Sequence, residues 1–115
     1  MIEEIIYKYL KESLIKEGVP VYMERPEVKP ACYVLIEKTG GGEENHIQRA
    51  TIAVQSIDIS LYQTAVLNEK VKGVMRAAIS LDEIAKVELN SDYNFTDSST
   101  KTYRYQAIFD IKYYL

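Results

Sequence analysis

The chain of 115 residues has few of the residues that build chemical sites: one cysteine, one histidine and no tryptophan. The single Cys32 excludes an intramolecular disulfide and a cysteine-rich zinc site, and the single His46 excludes a histidine cluster around a metal. No apolar run approaches the ~20 residues of a membrane-spanning helix. The first residues carry acids where a secretory signal would carry bases. We therefore expect a soluble protein of a reducing cytoplasm, without metal or cofactor.

An excess of positive charge is also missing. The formal net charge is −3, which disfavours binding to nucleic acid or to an anionic membrane, and neither is expected as a partner. The chain does contain 47% hydrophobic and 27% charged residues, which suits one packed core under a charged surface. The length, and the lack of any linker, predict a single domain over residues 1–115.

Helical periodicity occurs in two segments. The first helix ends near Gly18, and Pro20 lies beyond it. The second helix begins at a cap formed by Ser60 or Asp58. The predicted inner residues of the first helix are Ile2, Ile5, Ile6, Tyr9, Leu10 and Leu14. Those of the second are Leu61, Ala65, Leu67, Val71, Val74, Met75, Ala78 and Ile79.

Extended segments surround these helices. A short piece at 19–23 is followed by an apolar strand at 31–39, which is expected near the middle of a sheet. Further strands are predicted at 46–57, 84–90 and 103–113, whereas the polar tract 91–100 favours turns. The order is α-β-β-β-α-β-β. It predicts an α+β fold with a mainly antiparallel sheet and two helices packed on one of its faces.

Residues 33–57, YVLIEKTGGGEENHIQRATIAVQSI, form a long β-hairpin in this reading. Twelve strand residues span about 40 Å, against about 30 Å for a 20-residue helix, so the hairpin at 39–45 is expected to project beyond the helices. Strongly bent strands, or an exposed turn without a partner, are the alternatives. The glycines at 40–42 give the tip access to positive φ. They lead into Glu43 and Glu44 rather than into the lysine and helix of a phosphate-binding loop.

The residues that could support catalysis are isolated from one another. His46 is expected at an exposed strand edge. Cys32 starts an apolar strand with no charged activator near it in sequence, as is typical of an inert thiol. We predict that the chain is not an enzyme. Its ten tyrosines are more than the core of so small a domain needs, and tyrosine is enriched at protein interfaces.

Four strings of the sequence carry a family resemblance: YVLIEKTGGGEENHI, ATIAVQS, LNSDYNFTD and YRYQAIFDI. Together with the element order, they make the chain resemble the tail-completion proteins of long-tailed phages and Gram-positive prophages. These small structural proteins are also called tail terminators or head-to-tail joining proteins. The resemblance extends over nearly the whole chain and includes no catalytic motif. It fits a neighbouring connector subunit of similar size as well as a terminator.

The resemblance implies a structural protein that carries out no reaction. Members of this family form rings, often hexamers, which cap the finished tail tube and present a surface to the head connector. The implied partners are other copies of the chain, a tail-tube protein and a head–tail connector protein. The implied location is the host bacterial cytoplasm during assembly, and then the virion tail.

Two segments, Thr39–His46 and the polar tract Ser91–Thr100, are the candidate contacts with neighbouring subunits or with the tube, since long edge strands and a projecting hairpin are suited to joining neighbours. The candidate residues are Thr39, Gly40, Gly41, Gly42, Glu43, Glu44, Asn45, His46, Asp92, Tyr93, Asn94 and Phe95. The alternatives are a dimeric module that binds a small molecule and a small enzyme using Cys32, His46 or a carboxylate pair. The first would need a concave pocket with convergent polar groups.

Overall fold

Two helices lie on one face of a five-stranded sheet in the computed structural model, which describes residues 1–114. The elements are α1 (Ile2–Leu14), β1 (Val21–Tyr22), β2 (Tyr33–Glu44), β3 (Ile47–Asp58), α2 (Leu61–Ala77), β4 (Ile84–Asn94) and β5 (Tyr103–Tyr113). The strand order is β1-β2-β3-β5-β4, with β1 parallel to β2 and every other pair antiparallel. The predicted α+β class and element order are confirmed. No helix among these residues is long and apolar enough to cross a membrane.

Helix α1 packs through apolar residues alone. Ile2, Ile6, Leu10 and Leu14 are each at most 1% exposed, and their spacing places them on one side of the helix. A short 3₁₀ turn, Ile15–Glu17, follows, and Gly18 ends it with φ of 69°. The Gly18 amide donates to the Ile15 carbonyl at 3.1 Å. The predicted helix and its glycine stop are both confirmed.

The predicted inner side of helix α2 is confirmed only in part. Its buried residues are Thr64, Leu67, Asn68, Val71, Lys72 and Met75. Leu61 is 43% exposed and Ile79, in the 3₁₀ turn after the helix, is 50% exposed. The prediction that both belong to the inner stripe is wrong, whereas the predicted Leu67, Val71 and Met75 are buried. Polar residues that the prediction left out of the stripe are buried beside them. The predicted cap is confirmed: Ser60 Oγ accepts from the Gln63 amide at 3.1 Å.

The main core lies between the helices and the sheet. The sheet contributes alternate residues from each strand, as period two requires. These are Val21 from β1, Val34 and Ile36 from β2, Ala50, Ile52 and Val54 from β3, Ala107, Phe109, Ile111 and Tyr113 from β5, and Ile84 from β4. A smaller cluster of Tyr33, Leu35 and Ile57 lies on the opposite face, with Tyr22 packed against it. We call this second face the open face, because neither helix covers it.

Strand β2 differs from its prediction in extent and position. It runs to Glu44 rather than to residue 39, and it lies second from the sheet edge while β3 takes the centre. The sequence prediction included only the apolar half of β2. Its glycine and glutamate half is extended because it pairs with β3 as far as Glu44↔Ile47.

Strand β4 also runs further than predicted. The tract 91–100 was expected to form turns, but β4 continues to Asn94, and Asp92 pairs with Ala107 of β5. The polar residues remain in the ladder because β5 supplies a regular partner strand beside them. The remainder of the tract does form a loop, which the Asp97↔Thr102 bridge closes. There Asp97 accepts hydrogen bonds from the amide and hydroxyl of Ser99, and the Ser99 hydroxyl is the main cause that lowers the pKa of Asp97.

Candidate functional site

The tip of the β2–β3 hairpin is a two-residue turn. Asn45 and His46 occupy it with φ of 51° and 66°, the paired positive values of a type I′ turn. Both residues are exposed, as are Glu43 and Glu44 before them. The last β3–β5 pair is Gln48↔Tyr113. On the β3 side, the part of the hairpin that extends past β5 is therefore this tip.

The three glycines before the tip have a different role from the predicted one. Among residues 1–114, Gly18 is the one glycine with positive φ. Gly40, Gly41 and Gly42 are ordinary extended residues within β2, and the prediction that they supply positive φ is wrong. A Cβ at Gly42 would lie 2.9 Å from Arg49 Nη2, and one at Gly41 would lie 3.0 Å from Lys38 Cε. The missing side chains leave room for two long cations that lie across the strand.

The segment 92–95 lies on a different strand from the hairpin. Asp92, Tyr93 and Asn94 are the last residues of β4, and the Phe95 amide donates to the Arg104 carbonyl at 2.8 Å. The rings of Tyr93 and Phe95 are 5.9 Å apart in an edge-to-face arrangement. The Arg104 guanidinium lies 4.7 Å from the centre of the Phe95 ring. These aromatic side chains form a half-exposed patch beside the 95–102 loop.

The structure does not bring the two candidate segments together. Glu43 is level with Ile84 through the pairs Glu43↔Gln48, Gln48↔Tyr113 and Tyr113↔Ile84, which marks the hairpin end of the sheet. Asn94 pairs with Tyr105 at the other end of β5. The hairpin tip and the 92–95 segment therefore lie at opposite ends of the sheet, on strands near its opposite edges.

Asp92 has a role that sequence reasoning missed. Its carboxylate accepts from Asn68 Nδ2 at 2.7 Å and from Lys72 Nζ at 2.5 Å, so that it joins β4 to α2. Asn68 is 1% exposed and Lys72 is 8% exposed. Glu69 also contacts Lys72 Nζ, at 2.7 Å. Hydrogen bonds from Lys72 to Asp92 and then to Glu69 raise the pKa of the Lys72 ammonium above its ordinary value.

This Asn68–Lys72–Asp92 cluster leaves less of Asp92 for an outside partner. The Asp92 side chain is 25% exposed, and both of its oxygens are already used within the chain. A buried charge requires a partner, which is the first role of Asp92. The helical spacing of Asn68 and Lys72 in the sequence was the available signal, but it did not identify Asp92 as their partner.

The open face carries hydrogen-bonded side-chain rows that cross three strands. In one row, Asp110 accepts from the Thr51 hydroxyl at 3.0 Å and from Asn90 Nδ2 at 2.9 Å. In the other, Gln55 Nε2 donates to Gln106 Oε1 at 3.1 Å, and Gln106 Nε2 donates to the Tyr93 hydroxyl. A cleft of about 360 Å³ adjoins the first row. Charged side chains that line it are Arg49, Lys86, Glu88, Asp110 and Lys112.

Cys32 and His46 are far apart in the fold. Cys32 is half-buried immediately before β2, next to a groove that it lines together with Asp58. Burial, followed by the nearby Asp58 carboxylate, raises the pKa of the Cys32 thiol, which lowers the share of nucleophilic thiolate. His46 is exposed in the hairpin turn rather than on a strand edge. Within residues 1–114, no three His, Cys, Asp or Glu side chains are grouped so as to hold a metal ion.

Two free edges bound the sheet within residues 1–114. Strand β1 has two residues and pairs with β2 only at Val34 and Leu35. The outer side of β2 from Glu37 to the tip is therefore unpaired, and so is the outer side of β4. Three residues interrupt the regular register of these strands as bulges, namely Thr39 in β2 and Ala85 and Asn90 in β4. Such free edges expose backbone donors and acceptors to any strand of matching shape.

Comparison with models of known protein families finds no match, and comparison with curated proteins finds none.

Proposed function

We propose that this chain is a structural subunit of a phage tail, which assembles into a ring that caps the tail tube and joins it to the head connector. The observation that best supports this role is the pair of free edges on opposite sides of one sheet. Neighbouring subunits of a ring meet through two different surfaces, one from each side of the subunit. The family resemblance supports a ring of the tail-terminator kind.

The two candidate segments have distinct roles in such a ring. If the strands run roughly along the ring axis, the hairpin tip faces one neighbour in the tail and the 92–95 segment faces the other. The tip offers two exposed carboxylates, Glu43 and Glu44, whereas the opposite end offers the Tyr93–Phe95 aromatic pair. A charged end and an aromatic end suit two different partners, the tail-tube protein and the head–tail connector protein. The subunit itself performs no reaction and acts in the virion tail.

Removal of the gene from the phage or prophage that encodes the chain tests this role. We expect tails of uncontrolled length that fail to join heads, because nothing stops tube growth or presents the connector surface. Electron microscopy of the lysate measures both features, and supplying the chain in trans should restore joined particles. Tails of normal length that are joined to heads in the deletion strain would rule out the proposed function.

A shortened hairpin tests the contribution of the tip. Deleting Glu43 and Glu44 together with Ile47 and Gln48 removes two residues from each strand and retains the Asn45–His46 turn. The even deletion keeps every remaining side chain on its own face. We expect a folded protein, by circular dichroism and thermal melting, that no longer caps tails.

The matched control for this deletion keeps the hairpin length. Glu43→Gln with Glu44→Gln removes both charges but leaves the backbone unchanged. If this variant also fails to cap tails, the tip acts through its negative charge. If it caps tails normally, the tip acts through the length of the hairpin. A shortened protein that still completes tails would remove the tip from the function.

The open-face cleft favours a second candidate, a dimeric module that binds a small molecule. Its volume of about 360 Å³ lies within the usual range for ligand sites, and several charged groups converge on it. This function predicts a monodisperse dimer by light scattering. It also predicts that Arg49→Gln abolishes the thermal stabilisation given by the ligand. Assembly of the purified chain into larger rings would favour the first function instead.

A further inference from the structure

The glycine run of β2 remains unexplained by the turn chemistry of the hairpin. Gly40, Gly41 and Gly42 have ordinary extended φ, yet glycine weakens a strand interior. In a strand, glycine often marks a place where another backbone approaches closely. These three residues lie on the free outer edge of β2. Their position therefore suggests that a further strand pairs with this edge.

We infer that the strand that pairs there is β4 of a second copy, so that neighbouring subunits share one continuous sheet. This inference rests on the proposed ring and specifies how its subunits join. Strand β2 runs opposite to β3, β3 opposite to β5, and β5 opposite to β4. Strands β2 and β4 therefore run in opposite directions at opposite edges. Copies placed side by side in the same orientation bring them together as an antiparallel pair, which is the head-to-tail contact of a ring.

The two free edges also occupy the same height in the sheet. Following the pairs across β3 and β5 places Gly42 level with Lys86, Gly41 with Val87 and Gly40 with Glu88. This stretch contains no bulge on either strand. In a flat ring without vertical displacement, the glycine run of one copy therefore meets residues 86–88 of the next in regular register.

The backbone groups of this stretch are oriented to match. The Val34 amide donates outward, to the Pro20 carbonyl at 2.9 Å. Along β2 the amides point alternately outward and toward β3, and the bulge at Thr39 adds one residue to this count. The Gly41 amide therefore points outward as well. Immediately after β4, the Phe95 amide donates inward, to the Arg104 carbonyl. Counting back along β4 by the same alternation, with the bulge at Asn90 as one extra residue, the Val87 amide points outward. Gly41 and Val87 thus face each other with free amides and carbonyls.

The side chains do not oppose this pairing. Glycine presents no Cβ to the incoming strand, and at this height no two like charges stand directly opposite. Lys86 lies diagonal to Glu44, a separation of about 7–8 Å between backbones that long side chains can bridge. Strand β1 covers Val34 and Leu35, so an incoming strand cannot pair with β2 beyond that point. This limits how far the incoming strand can slide along β2.

A disulfide across the proposed contact tests the register. The paired variant is Gly40→Cys with Glu88→Cys, in a Cys32→Ser background. A Cβ at Gly40 meets nothing closer than 3.8 Å, so the substitution fits. Within one chain the two positions are three strand spacings apart, about 14 Å. A disulfide needs Cα atoms about 4.4–6.8 Å apart, so it can form only between copies.

Under mild oxidation we expect disulfide-linked oligomers on a non-reducing gel, up to a closed ring that reducing agent dissolves. The matched control retains Glu88→Cys and moves the other cysteine to Gly73, where a Cβ has open space on the outer side of α2. Linkage at equal rates in both variants would reflect random collision and overturn the inference. Rings seen by electron microscopy without linkage in the paired variant would overturn the register but keep the ring. A chain that stays monomeric at high concentration would contradict the ring itself.

A proline on β4 tests the backbone contact separately. Val87→Pro removes the outward amide, while the inward bonds of β4 to β5 remain. Val87→Ala also shortens the side chain but keeps the amide. We expect assembly to be lost with proline and retained with alanine, provided that both variants give the wild-type circular dichroism spectrum. If the folded proline variant still assembles, the β4 edge is not part of the interface between subunits.

Discussion

The two helices cover the same sheet, but they are held to it by different chemistry. Helix α1 buries four aliphatic side chains at helical spacing, and its N-terminus has no side-chain cap. Helix α2 buries Thr64, Asn68 and Lys72 among its aliphatic residues, and Ser60 caps it. One helix depends on apolar burial, and the other depends in part on directional polar contacts with a distant strand. This difference predicts which substitutions each helix tolerates.

The largest expected effect is on α1. Leu10 is fully buried against the sheet, and Leu10→Ala should lower the free energy of unfolding by about 2–5 kcal/mol through lost burial and a cavity. Urea denaturation followed by circular dichroism measures the change. The exposed neighbour Glu12→Ala should leave the midpoint almost unchanged. Similar effects of the two substitutions would mean that α1 is not anchored by its apolar stripe.

A smaller but distinctive effect is expected at the Asn68–Lys72–Asp92 cluster. Asp92→Ala removes an acceptor from both Asn68 and Lys72, and should cost about 1–3 kcal/mol. Glu69 remains as a partner of Lys72, which limits the loss. Adding Lys72→Met to Asp92→Ala should recover part of the stability, because an apolar side chain needs no partner there. Additive losses in the double variant would show that the two side chains are not coupled.

The cap of α2 should contribute about 1 kcal/mol. Ser60→Ala removes the oxygen that accepts from the Gln63 amide, and typical losses for such caps are about 0.5–2 kcal/mol. The exposed Ser98→Ala is the matched control, with no expected change in thermal midpoint. The uncapped start of α1 offers no equivalent site, so a cap effect in this protein belongs to α2.

The smallest effect concerns alkaline pH. Since the pKa of Lys72 is raised in the folded chain above its ordinary 10.5, the unfolded chain loses this proton first as pH rises. The stabilisation is complete below the ordinary pKa and disappears as pH rises through the folded pKa. The difference in stability between wild type and Lys72→Met should therefore shrink in this alkaline range. A difference that is independent of pH there would contradict the charge contribution.

The same contrast explains how much of the fold the sequence predicted. The α1 stripe could be predicted because all of its buried residues are held by apolar burial, and the helical spacing of apolar residues in the sequence shows this directly. The α2 stripe could be read only in its apolar part: Leu67, Val71 and Met75 are buried as predicted. Burial of Asn68 and Lys72 could not be predicted, because it depends on Asp92, which lies 20 or more residues away. Local pattern assigns polar residues to the surface, and a distant carboxylate reverses that assignment.

The candidate site shows the same limit. Alternation predicted the long hairpin, since period two is a local property. The position of its turn was missed, because Asn45 and His46 adopt positive φ while the glycines remain in the ladder. Glycine permits a turn but does not require one. Asparagine is enriched in this conformation, and Asn45 was the overlooked signal. The extension of β4 to Asn94 was missed because its polar residues have low strand propensity until β5 pairs with them.

The bulges at Thr39, Ala85 and Asn90 have a consequence for aggregation. Cross-β stacking requires flat, regular segments of about six residues that repeat identically from chain to chain. The bulges divide both free edges into shorter regular pieces, and a twisted, interrupted edge is a poor template for indefinite growth. A chain with two long exposed edges would otherwise risk fibre formation whenever it is produced in excess. The bulges therefore allow these edges to pair with a strand of matching irregular shape, while they disfavour the indefinite stacking of identical chains.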